Sequence, residues 1–268
     1  MTTFEFQYLV RFEDQDRRIH YGNLTEESPA DQLHGRVVAV LEGDPISGLK
    51  ASGKKAMINK CIGVNYANHA QETNFKVPSQ PIVFTKPADS IAGPFDEIYC
   101  HTDARAQLDY EGELCFIFSK DCRDVSETDA LGYVLGYTIG NDLSARNYIP
   151  HEISGYQMSY GKSFDSFAPF GPYIVSPRTV GDPQNLRLVT KVNGQVRQNE
   201  NTSDMIWNIQ QIISHLSRGR TVRAGTVCMT GTPSGVGWFM KPAGFLQSGD
   251  TVDVSIEKLG SLVVTIVY

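Results

Sequence analysis

Glu111 and Glu113 stand one residue apart at the head of an apolar run, Leu114-Cys115-Phe116-Ile117-Phe118. In an extended strand alternate side chains share a face. Leu114, Phe116 and Phe118 then point one way, and Glu111, Glu113, Cys115 and Ile117 the other. Apolar residues on both faces predict a strand buried on both sides, with two carboxylates aimed inward close together. Burial makes that repulsion costly unless a proton or a cation lies between the acids. A hard divalent ion such as Mg²⁺ or Mn²⁺ resolves it, because it takes oxygen ligands and keeps positions open for water. The competing reading is a solvated strand edge with both glutamates wet. The strand pattern by itself weighs the two equally.

A third carboxylate tips that balance. Gly136-Tyr137-Thr138-Ile139-Gly140-Asn141-Asp142 places Asp142 just past an apolar strand, where loop residues carry function. Three carboxylates around a dication leave an excess of negative charge, and an anionic small-molecule substrate needs that excess offset. Arg146 and Lys162 are the candidate cations. Lys162 lies in Gly161-Lys162-Ser163-Phe164-Asp165-Ser166-Phe167, an aromatic segment that suggests a lysine held in a pocket rather than a solvated one.

Strands must position these residues. Segments 36–42, 81–86, 113–119, 172–176, 186–192, 226–230, 251–258 and 261–268 are rich in β-branched and aromatic residues. Asn193-Gly194 is a two-residue hairpin signal, and Leu259-Gly260 joins two further strands. Helices are few. Met205, Ile206, Ile209, Ile212, Ile213 and Leu216 form one stripe, predicting a helix from Asp204 to Ser217 capped by Thr202 or Ser203. A shorter helix is expected after Ser126. The fold class is therefore α+β with a β-rich core. Residues 42–60, with Gly43, Pro45, Gly48 and Gly53, resemble a linker, so a small β-rich N-terminal subdomain and linker (1–58) is expected before a main domain (59–268).

Composition excludes several classes. The 268 residues carry a net charge of -6, and no Lys/Arg cluster builds the basic face that nucleic acid requires. No apolar run approaches the ~18 residues of a membrane span. Met1 to Asp16 contain no uninterrupted apolar segment of the secretory kind. The five cysteines are scattered without a paired motif, which fits reduced, buried thiols and a cytoplasmic protein. Gly48 to Lys55 imitates a phosphate loop but has Lys55 where Ser or Thr should bind magnesium. Gly231 to Gly237 lacks dinucleotide-loop spacing.

From about Lys60 onward the chain resembles the fumarylacetoacetate hydrolase family. The resemblance is carried in order by 63–69, 81–86, 109–114, 136–146, 161–165, 192–194 and 230–233. It implies a mixed β-sandwich roll, usually a homodimer, with Mg²⁺ or Mn²⁺ held by Glu111, Glu113 and Asp142. It implies that the N-terminal unit is the small extra domain of compact bacterial-type members. His69 and Glu72, three apart, read blindly as a solvated helix pair. In the acylpyruvase and oxaloacetate-decarboxylase branch a matching pair is catalytic, so the resemblance assigns His69, Glu72 and Lys162 to catalysis. Arg146, Gln157 and Thr232 are the expected substrate contacts. Met158 and Tyr160 depart from the Trp and Arg of many relatives, so the distal pocket is expected to differ. The implied function is metal-dependent C–C cleavage next to a carbonyl, in a small 2-oxo or 1,3-diketo acid. Isomerisation of 2-hydroxy-dienoates such as 2-hydroxyhepta-2,4-diene-1,7-dioate is the alternative. A metal-binding scaffold without turnover is the rival of a different class.

Overall fold

The structure is a computed structural model that describes residues 6–13, 19–27, 39–41 and 59–268. Of the expected linker 42–60, residues 42–58 lie outside the described residues, as does the phosphate-loop imitation, while Asn59 and Lys60 belong to a strand. In chain order the first strands are β1 (Tyr8–Glu13), β2 (Ile19–Leu24), β3 (Ala39–Leu41), β4 (Asn59–Gly63), β5 (Ile82–Lys86) and β6 (Ile91–Ala92). Next come β7 (Glu97–Tyr99), β8 (Leu108–Asp109), β9 (Gly112–Phe118), β10 (Val134–Asn141), β11 (Ser144–Ala145) and β12 (Ala168–Val175). The last are β13 (Arg187–Val192), β14 (Gln195–Asn201), β15 (Val227–Met229), β16 (Thr251–Ile256) and β17 (Gly260–Val267). The helices are α1 (Ala67–Thr73), α2 (His151–Ser154), α3 (Pro177–Val180) and α4 (Ile209–Ser217).

One mixed sheet runs β3-β2-β1-β12-β10-β9-β15-β4-β5, with β6 beside β12, and a second runs β14-β13-β16-β17-β7. Strands β1 to β3 extend the large sheet, because β1 pairs with β12 at Tyr8↔Val175 and Leu9↔Ile174. The two sheets face each other through β9 and β10 on one side and β13, β16 and β17 on the other. This is the β-rich roll expected from the sequence. Leu114, Phe116 and Phe118 enter the main core, whereas Cys115 and Ile117 enter a separate buried cluster behind it. Every residue of β9 is buried, so the two-faced strand is real. At Gly112 the sheets approach so closely that a Cβ would run into Thr190 Oγ1 and Val254 Cγ1.

Asn193 and Gly194 turn β13 into β14 with φ of 51° and 76°, as the two-residue hairpin requires. All five cysteines are buried and free. The long helix departs from its expected start. Residues 202–204 form a 3₁₀ turn, and α4 begins only at Ile209 with Asn208 and Gln211 as a reciprocal capping box. Asn65 causes the delay: its carbonyl accepts from Ile206 N at 2.7 Å and its Oδ1 from Trp207 N at 2.8 Å. These long-range bonds hold 205–207 out of the helix, with Met205 bridged to Tyr66. Ser126 likewise leads into a 3₁₀ turn, Ala130–Tyr133, rather than an α-helix.

Candidate active site

Strand register brings the three acids together. Antiparallel pairing of β9 with β10 sets Glu113 opposite Gly140 and Gly112 opposite Asn141. The next residue of each strand end is then Glu111 and Asp142, joined by Asp142 N donating to Glu111 O at 2.8 Å. The β8–β11 bridge, Ser144↔Asp109, holds the loop that carries Arg146 alongside. Glu111, Glu113 and Asp142 are all buried, and each offers an oxygen within 4.8 Å of the others.

Four buried carboxylates, Asp109 with these three, face three buried cations. Lys162 Nζ lies 2.8 Å from Glu111 Oε2 and 2.7 Å from Asp142 Oδ2. Lys86 Nζ lies 2.7 Å from Asp142 Oδ1, as an ion pair without hydrogen-bond alignment. Arg146 reaches Glu111 Oε1 with Nη1 at 2.6 Å and Asp109 Oδ2 with Nε at 2.8 Å. Glu113 has no such partner: Gly231 N donates to its Oε2 at 2.6 Å, and its Oε1 is buried with no hydrogen bond. Burial, then Asp142 and Glu111, push the Glu113 carboxyl well above the usual range. Burial also opposes the charge on Glu111, but Lys162 and Arg146 overcome it and hold that carboxyl at about 2. An all-oxygen donor set, one orphaned acceptor and a fourth carboxylate with no cation of its own together fit a hard divalent cation.

Over these acids lies a cleft of about 390 Å³, lined in part by Glu111, Arg146, Lys162, Thr232 and His69. Helix α1 sets His69 and Glu72 on one face, with Nδ1 and Oε2 2.8 Å apart. Glu72 Oε1 also accepts from Gly235 N at 2.9 Å, which ties the pair to the opposite loop. His69 is buried and Phe239 packs edge-on against its ring.

Of the nine expected site residues, His69, Glu111, Arg146, Lys162 and Thr232 line this cleft, Glu113 and Asp142 cluster with Glu111, and Glu72 is bonded to His69. Gln157 joins none of them: it is exposed and absent from the walls, which its neighbours Tyr156 and Met158 line instead. Thr232 lines the cleft, yet its hydroxyl donates to Gly112 O at 2.9 Å and accepts from Gln198 Nε2 at 2.7 Å. Two residues had no role in the sequence reading. Lys86 is fully buried and donates to the carbonyls of Leu143, Lys162 and Phe167 at 3.1, 2.5 and 2.7 Å. Asp109 accepts from Tyr110, Gly237 and Trp238 N, and so fixes Arg146 to the loop after Gly235. The available signal was their position, a charge closing an apolar strand and a carboxylate two residues before the acid pair.

Residues 60–267 match the family profile described as Fumarylacetoacetate (FAA) hydrolase C-terminal. A fumarylacetoacetate hydrolase domain-containing protein 2 homolog of Dictyostelium discoideum is 46% identical over 212 residues, covering 76% of this chain and 69% of its own. A mitochondrial oxaloacetate tautomerase of Rattus norvegicus is 40% identical over 203 residues, 76% of this chain and 64% of its own. The chain thus spans about two-thirds of the length of these curated relatives. The 2-hydroxyhepta-2,4-diene-1,7-dioate isomerase of Mycobacterium marinum superposes with a TM-score of 0.79 at 32% identity, over 97% and 98% of the two chains. Fumarylpyruvate hydrolase of Pseudomonas aeruginosa, solved with Mn²⁺ and pyruvate, gives 0.71 at 31%, over 78% and 89%.

Proposed function

The chain belongs to the fumarylacetoacetate hydrolase family, and from that premise we propose that it is a divalent-metal-dependent enzyme that enolises a small 2-oxo acid. The reading is carried by the Glu111–Glu113–Asp142 cluster, whose Glu111 opens onto a cleft that is also lined by His69, the partner of Glu72. Glu111, Glu113 and Asp142 would hold Mg²⁺ or Mn²⁺, which when bound polarises a carbonyl and lowers the cost of negative charge on its oxygen. Lys162, already paired with Glu111 and Asp142, would add a fixed positive charge at the cleft floor. Arg146 keeps Nη2 buried and unpaired, a donor for the substrate carboxylate. Glu72 occupies His69 Nδ1, so Nε2 is the nitrogen left to take or return a proton at substrate carbon.

Keto–enol tautomerisation needs only this proton transfer, and tautomerase and isomerase are the names of the rat and M. marinum relatives. Cleavage of a C–C bond by hydrolysis or decarboxylation is the second reading, supported by the P. aeruginosa hydrolase. Both are separated by following enol absorbance of oxaloacetate and pyruvate release from acylpyruvates on one preparation, with Mg²⁺, Mn²⁺ or EDTA. His69→Ala is expected to lose ~10²- to 10⁴-fold in rate and Glu72→Ala less, with metal binding intact. Turnover that survives exhaustive chelation rejects the metal centre, and an unchanged rate in His69→Ala rejects the dyad. A homodimer is part of the proposal and is checked by a sedimentation mass twice the 29.7 kDa of the chain. A cytoplasmic placement is proposed as well; the five free cysteines fit any reducing compartment, and cell fractionation checks it because the tautomerase relatives are named mitochondrial.

A further inference from the structure

The cleft changes character from floor to rim. Its floor is buried and charged, with Glu111, Arg146 and Lys162. Above them Ile82, Met158 and Ile149 form one side and Trp238 and Phe239 another, with Phe75 at the exposed rim. On the first side Met158 and Ile82 both lie next to Gly63, where a Cβ would meet Met158 Cε at 3.4 Å and Ile82 Cγ2 at 3.5 Å, ordinary contact distances. On the other, the Trp238 and Phe239 rings stack with centroids 5.4 Å apart.

Cations are distributed just as unevenly. Lys162 is spent on Glu111 and Asp142, and Arg146 offers only its Nη2 at the floor. Along the walls the described residues present one further Lys or Arg, Lys76, which is exposed at the rim and screened by water. Among the described residues a second carboxylate on the substrate would therefore be desolvated against hydrocarbon without a buried Lys or Arg partner. The volume points the same way, since about 390 Å³ lies within the range that takes drug-sized ligands, well above a four-carbon acid.

We propose that the cleft walls form an uncharged tail subsite, so that the substrate is a 2-oxo acid bearing an alkyl or aryl substituent of several carbons rather than a second carboxylate. This rests on the reading of the floor as a 2-oxo acid site. Affinity then comes from apolar area removed from water along Met158, Ile149 and Trp238, while the floor fixes which end enters first.

A matched pair of stable acids isolates the tail: 2-oxo-4-phenylbutanoate and 2-oxoglutarate differ only in a terminal phenyl against a carboxylate. Their dissociation constants are measured by calorimetry on the Mg²⁺-loaded protein, so the comparison needs no turnover. One methylene in an apolar pocket is worth about 10- to 200-fold in discrimination. The phenyl acid is accordingly expected to bind at least ~10-fold more tightly. Met158→Arg and, at the exposed rim, Phe75→Arg are expected to shrink or reverse the ratio, with thermal midpoints near the parent's to show that each folds. Equal or tighter binding of 2-oxoglutarate to the parent overturns the tail subsite and leaves the 2-oxo acid reading standing. Binding of neither acid, with or without Mg²⁺, overturns both.

Discussion

Lys162 carries two ion pairs at once, and both of its partners are buried carboxylates. Breaking a buried pair by deleting one partner costs about 3–5 kcal/mol, because the remaining charge is left without compensation. Lys162→Met in EDTA is therefore expected to lose about that much stability, read by urea denaturation. Excess Mg²⁺ should return part of the loss by neutralising Glu111 and Asp142, while turnover stays low because the fixed cation is gone. Unaltered stability in EDTA would show that these pairs do not form. Glu113 gives a second prediction at this scale. Its carboxyl is raised by burial and by the two neighbouring acids, so the folded, metal-free protein retains a proton there as pH rises past the ordinary carboxylate range. A dication must displace that proton. Apparent Mg²⁺ affinity should therefore rise with pH through the raised value, with proton release visible by calorimetry in buffers of different ionisation enthalpy. A pH-independent affinity contradicts this. Glu111, held at about 2, releases none.

Helix α4 shows how an element can be placed by a residue far along the chain. Ile209, Ile212, Ile213 and Leu216 are buried, so the apolar stripe seats the helix as periodicity predicts. Its start is decided by Asn65, whose side chain binds Trp207 and Thr230 at once. The cap is then Asn208, whose side chain accepts from Gln211 N at 2.9 Å. Asn208→Ala should cost about 1 kcal/mol, the usual worth of such a cap. Ile212→Ala should cost about 2–5 kcal/mol through a core cavity. Urea midpoints of the two variants check the order, and a costlier cap than core would reverse the account. Ser203→Ala, at the start that periodicity suggests, should be near neutral.

Across the whole molecule the acids come from β9, the residue before it and the loop after β10, Lys162 from the aromatic segment, and the dyad from α1. An ion that binds only when these segments are assembled stabilises the fold by mass action. At 100 times its dissociation constant the gain is about 2.7 kcal/mol. For a chain of this size that corresponds to roughly 5–10 °C in thermal midpoint. Mg²⁺ should produce that shift in the parent, EDTA should reverse it, and Glu113→Gln should abolish most of it. A midpoint insensitive to Mg²⁺ and Mn²⁺ would remove the metal from the site.

Local alternation was enough to read β9 as buried on both faces, because a period of two places Leu114 and Phe116 opposite Cys115 and Ile117 whatever they pack against. The same local chemistry singled out the acid pair, and the Asn193-Gly194 turn, which depends only on its own φ angles. Three things needed the third dimension. Register alone decides that Asp142 meets Glu111, since pairing of β9 with β10 is a contact between residues far apart in sequence. Lys86 and Asp109 look like ordinary strand-end charges until folding buries them among the acids and carbonyls they hold. Gln157 carries the right functional group in the right segment, but the turn after α2 leaves it in solvent and presents Tyr156 and Met158 to the cleft. Which member of a loop faces a site is set by the walls around it, and those come from elsewhere in the chain.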